Sequence, residues 1–152
     1  KYKIMEDELF QEYGDRIIFF NGSYLITDYV IDDIVGIDSI RKKIGSVEDI
    51  RTKLNLSNLE LICDRVENLK NQSFDIVISR AVADLAKISQ YALPLVKKGG
   101  YFVAYKSKKA LTELEEAKNV IKSLKAEVVD IIEYTLPLEE VYERNLICIK
   151  KL

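Results

Sequence analysis

Ser79-Arg80 closes a short apolar run, Phe74–Ile78, and stands before a stretch of helical periodicity, Ala81–Val96. A polar pair at the carboxyl end of a buried strand sits where open α/β sheets bind ligands. Arginine there offers a planar fork of donors that can orient a flat ligand. The plainer role for Arg80 is a helix cap or an ion pair. Asp38 ends Val-Gly-Ile-Asp-Ser, and a fixed carboxylate at such an edge can accept both hydroxyls of a ribose. The plainer role for Asp38 is to cap the helix that starts near Arg41. Asp64-Arg65-Val66-Glu67 follows a third apolar run. A backbone amide and an acidic side chain in such a loop can read the ring nitrogen and amino group of adenine, and a solvated loop with a local ion pair is the alternative. Lys97, Lys98, Lys106, Lys108 and Lys109 cluster around Tyr101 and Tyr105. Lysines hold phosphates and tyrosines stack on bases, which suits an RNA surface, although any one lysine alone reads as solvated charge.

Those groups need elements to hold them. Ile17–Phe20, Asp33–Ile37, Leu59–Cys63, Phe74–Ser79 and Tyr101–Tyr105 read as strands. Phe74–Ile78 lacks in–out alternation, as a strand buried on both faces should. Arg41–Leu54 carries Ile44, Val47, Ile50 and Leu54 on one helical stripe. The Ala81–Val96 helix is expected to stop at Lys97-Lys98-Gly99-Gly100, where glycine can supply a left-handed cap. Leu111–Leu124 is a charged helix, acidic early and basic late, as the helix dipole prefers. Glu127–Leu136 and Arg144–Lys150 close the chain as an antiparallel pair. Lys1–Asp15 is polar and reads as a short N-terminal helix, and Asn21-Gly22-Ser23 reads as a turn. The fold expected is α/β: a mostly parallel, Rossmann-like sheet with an antiparallel last strand and helices on both faces. Such a sheet is the frame of many methyltransferases, and a frame alone carries no function.

Composition narrows the chemistry. The chain has 152 residues, 48% hydrophobic and 32% charged, which fits one soluble domain over 1–152 with residues 1–16 as a short extension. No membrane span and no leader are expected, and the cytoplasm is the expected compartment. The net charge of −2 does not exclude a local basic patch. Cys63 and Cys148 lie in separate apolar runs and read as reduced thiols. There is no histidine, which removes Ser-His-Asp and Cys-His hydrolysis and His-ligated zinc; no metal site is expected.

Several stretches together resemble one family. Phe74–Leu85, Arg65-Val66-Glu67, Leu93–Lys106, Glu115-Glu-Ala-Lys118, and Glu143-Arg144-Asn145-Leu146 through Lys150 occur in the order found in bacterial glucose-inhibited division protein B. That family methylates guanine N7 in 16S ribosomal RNA with S-adenosylmethionine. The resemblance implies that Val66 and Glu67 bind the cofactor and Arg80 lines its site. Asp38 is similar to the family's acidic position after the second strand, and Gly22 to its glycine-rich loop. It further implies that Lys106, Lys108 and Arg144 face RNA, with 16S ribosomal RNA or the small ribosomal subunit as partner and a monomer as the working form. Guanine N7 carries no proton, so no catalytic base is named.

The likeness weakens before Ile34. The family has an acidic, glycine-rich loop after its first strand, whereas here only Asn21-Gly22-Ser23 remains, preceded by Phe19-Phe20. A diverged or truncated member, and a cofactor-deficient relic, stay open on this reading. A nicotinamide-dependent oxidoreductase of similar fold would want Gly-x-Gly-x-x-Gly after the first strand, which is absent.

Overall fold

The computed structural model describes residues 16–20, 33–69, 73–80, 83–107, 109–137 and 141–152. Within them lie seven strands: β1 (Arg16–Phe20), β2 (Asp33–Ile37), β3 (Leu59–Ile62), β4 (Phe74–Arg80), β5 (Val96–Ser107), β6 (Ala126–Pro137) and β7 (Val141–Lys151). Three helices accompany them: α1 (Arg41–Lys53), α2 (Leu85–Ala92) and α3 (Ala110–Ser123). The strands form one sheet in the order β3-β2-β1-β4-β5-β7-β6. All described pairings are parallel except those of β7, which runs antiparallel to both β5 and β6. The expected sheet is therefore the observed one, with β4 at its centre.

β4 is central because its side chains can be covered on both sides. Phe74, Ile76, Val77, Ile78 and Ser79 are all buried. Phe74 and Val77 belong to the larger core, shared with Phe102, Ile147 and Ile149 of β5 and β7 and with Leu85, Ile88, Leu114 and Ile121 of α2 and α3. Ile76 and Ile78 join Val103, Leu146 and Cys148 in a smaller core on the other face. Burying one such aliphatic side chain stabilises by roughly 1.5–3 kcal/mol, so this doubly covered strand anchors the domain.

Two elements differ from the sequence expectation. The helix expected over Ala81–Val96 is confined to Leu85–Ala92, followed by a 3-10 turn at Leu93–Leu95. Asp84 starts it, since its carboxylate accepts from the Lys87 amide at 2.8 Å. Pro94 ends it, because proline has no amide to donate and its ring crowds the preceding turn. Lys97–Gly100 is not a helix cap but an irregular part of β5. There the register with β4 jumps from Phe74↔Val96 to Ile76↔Tyr101. Gly99 adopts φ of 85°, and a Cβ on Gly100 would lie 2.4 Å from the Asp75 carbonyl oxygen. Both positions therefore need glycine. α1 also buries less than its stripe implied, since Ile50 and Leu54 remain exposed.

Gly100→Ala should destabilise the fold by about 1–3 kcal/mol, because the backbone of β4 or β5 must move. Gly45→Ala, in α1 with nothing within 4 Å of the added Cβ, should stabilise by about 0.5–1 kcal/mol. Urea unfolding of the two variants beside the parent checks both signs.

Candidate functional site

The strand order reverses between β1 and β4. Phe20 at the end of β1 is in register with Ile37 of β2 on one side and Ser79 of β4 on the other. The chain continues from these strands in opposite directions across the sheet, which leaves a crevice at their carboxyl ends. Asp38, the Asp64–Asn68 loop and Arg80 all reach this one edge. Buried polarity gathers there too: of the four buried polar residues described, Ser79, Lys106 and Asn145 lie at this edge, and only Ser89 lies elsewhere.

Asp38 is held before any ligand arrives. Its amide donates to the Ile62 carbonyl at 3.3 Å, extending the β2–β3 ladder. One carboxylate oxygen accepts from the Ile40 amide at 2.8 Å and the other from Lys43 Nζ at 3.3 Å. The side chain is only 11% exposed. Both roles weighed for Asp38 therefore coexist: it orders the entry to α1, and a carboxylate with about four acceptor positions retains capacity for a diol. Asp64 organises the neighbouring loop, accepting from the Arg65 amide and from Asn68 Nδ2, each at 2.7 Å. This turns Val66–Asn68 into a 3-10 segment. Val66 packs on the larger core, while Glu67 stays exposed beside it. Arg80 is exposed at the end of β4, in register with Tyr105. Gly22 lies outside the described residues.

The lysine cluster around β5 is divided by the length of that strand. Lys97 and Lys98 sit at the amino edge, where Lys97 is paired with Asp75 at 2.8 Å and Lys150 lies 5.7 Å from the centre of the Tyr101 ring. Lys106 is about 20–25 Å away at the carboxyl edge. It is not the surface cation expected. Its side chain is 7% exposed and its ammonium lies 2.8 Å from Glu113 Oε2. The reason is alternation: Phe102, Ala104 and Lys106 share the face covered by α2 and α3. Arg144 is half-buried, and it donates to the Glu143 carbonyl at 2.9 Å. Alternation along β4, β5, β6 and β7 puts Arg80, Tyr105, Tyr134 and Arg144 on the opposite face at the same edge. Sequence reasoning missed Tyr134, because its neighbours appear only once β6 pairs with β7. Lys108 lies outside the described residues.

The two thiols differ in kind. Cys63 directly follows β3 at the site edge and is exposed, whereas Cys148 is buried in β7. Burial, then the charge of Asp130 across the β6–β7 ladder, pushes the Cys148 thiol up from 9.0 to about 11.

Comparison with known proteins gives the same edge a context. The family model described as rRNA small subunit methyltransferase G matches residues 30–146. The chain belongs to that family. Curated relatives called ribosomal RNA small subunit methyltransferase G include one from Oceanobacillus iheyensis, 46% identical over 120 residues, which are 76% of this chain and 50% of that protein. One from Lachnoclostridium phytofermentans is 38% identical over 137 residues, 87% of this chain and 56% of that protein. The chain thus spans about half the length of the curated relatives it matches. Solved structures share the fold at low identity. A S-adenosylmethionine-dependent methyltransferase from Clostridium acetobutylicum superposes with a TM-score of 0.74 at 13% identity, covering 99% of this chain and 89% of its own. M. jannaschii TYW2, in complex with AdoMet, does so at 0.71 and 13%, covering 99% of this chain and 76% of its own. The family match begins at residue 30, near where the likeness to the rRNA small subunit methyltransferase G pattern begins in the sequence.

At pH 8 a thiol reagent should modify Cys63 in the folded protein and leave Cys148 intact until denaturant is added. The raised Cys148 pKa also sets a sign for alkaline stability. Its contribution is complete below about pH 9 and declines as pH rises toward 11, so Cys148→Ala should flatten that part of the stability profile.

Proposed function

We propose that this chain carries the S-adenosylmethionine site of an enzyme that methylates guanine N7 in 16S ribosomal RNA. Family membership supports the reaction class, and one structural observation carries the placement. Asp38, the Asp64–Asn68 loop and Arg80 follow the carboxyl ends of β2, β3 and β4, on the edge of the sheet at which the strand order reverses. In this reading Asp38 accepts the ribose hydroxyls. Val66 and Glu67 meet the adenine, Val66 through its backbone amide and apolar side chain and Glu67 through its carboxylate. Arg80 orients cofactor and base by its donor fork. The donor set fits the adenosine half of the cofactor: a fixed carboxylate, a polar loop and an apolar wall formed by Val66. The methionine half falls to Gly22 and its loop, outside the described residues.

The cofactor, when bound, supplies a methyl group on a positively charged sulfur. Guanine N7 has a lone pair in the ring plane and no proton to lose, so the side chains need abstract none. Their work is alignment of N7 with the methyl group, and exclusion of water from that line. The product base is cationic, so positive side chains should hold phosphates and keep away from the ring. Arg144 and Lys108, the latter outside the described residues, take phosphates in this reading, while Tyr105 and Tyr134 offer faces for stacking. Small-subunit ribosomal RNA in the cytoplasm is the proposed substrate, and a monomer the proposed form.

Calorimetry with S-adenosylhomocysteine tests the placement. The parent chain should bind one equivalent. Asp38→Asn keeps an acceptor for the Ile40 amide and loses the charge, so it should fold normally and bind about 10–100-fold more weakly, the worth of a hydrogen bond to a charged group. Arg80→Ala should reduce methylation of ribosomal RNA and leave the unfolding midpoint unchanged. Unaltered binding in Asp38→Asn would place the nucleoside elsewhere.

A further inference from the structure

We propose that Lys106 and Glu113 are positioning residues, a charged clip that fixes Ala83 and the start of α2 close behind Arg80. The proposal rests on the reading of this edge as the S-adenosylmethionine site. β4 ends at Arg80 and α2 begins at Leu85. Two side chains, Lys106 of β5 and Glu113 of α3, hold Ala83 and Leu85. Lys106 Nζ, 2.8 Å from Glu113 Oε2, also donates to the Ala83 carbonyl. The same Glu113 oxygen accepts from the Leu85 amide at 2.9 Å. The near end is fixed separately, since Arg80 and Tyr105 pair in the β4–β5 ladder. Only Ala81 and Val82 lie between Arg80 and the clipped Ala83.

Stability alone is a poor account of this pair. Two charges withdrawn from water regain little more than their desolvation costs, so an apolar pair would often serve the fold as well. The contacts themselves are local and directional. Leu85 opens α2, and its amide is one of the donors a helix start leaves without an internal partner. A carboxylate there is also favoured by the helix dipole. Asp84 takes the Lys87 amide, so acidic groups from two elements divide the start of one helix. The lysine meanwhile satisfies a carbonyl three residues after Arg80. Lys106 therefore acts on the site through backbone, and its ammonium is engaged inside the protein instead of with RNA phosphate.

The test compares Lys106→Met, Glu113→Gln, the double variant and Lys106→Arg. Each is assayed for thermal midpoint, exchange of the Leu85 amide, affinity for S-adenosylhomocysteine, and affinity for ribosomal RNA across a salt series. Lys106→Met leaves the half-buried Glu113 carboxylate without its cation, so its midpoint should fall, and the double variant should recover it. Cofactor affinity should fall at least tenfold in both Lys106→Met and the double variant, with faster Leu85 exchange in Lys106→Met, while Lys106→Arg retains most of the affinity. The slope of log RNA affinity against log salt should stay at the parent value. A double variant that binds S-adenosylhomocysteine as tightly as the parent would overturn the proposal. So would a salt slope reduced by about one in Lys106→Met, which marks a direct phosphate contact. Failure of the parent itself to bind S-adenosylhomocysteine would overturn the reading of the site and the clip with it, and is distinguished by appearing before any substitution.

Discussion

The parallel pairing of β1 with β4 is the constraint on which the rest depends. Strands on either side of that pair are reached by connections that leave in opposite directions, so the carboxyl ends of β1 and β4 cannot both be covered by the following chain. β4 must then be apolar along its length, since side chains on both faces are enclosed, and can turn polar only where it emerges. Phe74, Ile76, Val77 and Ile78 obey the first demand and Ser79-Arg80 the second, while Asp75, near the opposite end of the strand, is paired with Lys97. The same rule places Asp38 one residue beyond β2 and Asp64 two beyond β3.

Much of this was legible because burial leaves a mark on residue choice. A strand covered on two faces cannot alternate, which identified β4 as central. The reversed last strand could be read from the few residues between Glu127–Leu136 and Arg144–Lys150. What could not be read was long-range. The extended course of Lys97–Gly100 depends on how closely Gly100 approaches Asp75, a contact between two strands with no local signature.

Lys106 shows the same limit at the site. As a residue type beside Tyr105 it reads as part of a basic surface. Its neighbours in the fold are Ala83 and Glu113, 23 residues before it and 7 after it in the sequence, and alternation along β5 turns it inward. Tyr134 is the converse case, an unremarked residue that pairing with Arg144 brings to the edge. Candidate site residues that end a strand are thus readable, because strand ends are local. Groups that hold those side chains in place come from other elements and appear only with the fold.

Amide hydrogen exchange with and without S-adenosylhomocysteine tests the central claim most directly, because it reports position and not activity. The account predicts added protection at residues 38–40, 63–68 and 79–85, with none at Lys97–Gly100 on the opposite edge. Protection centred on the amino edge, or none on any described strand end, would contradict it.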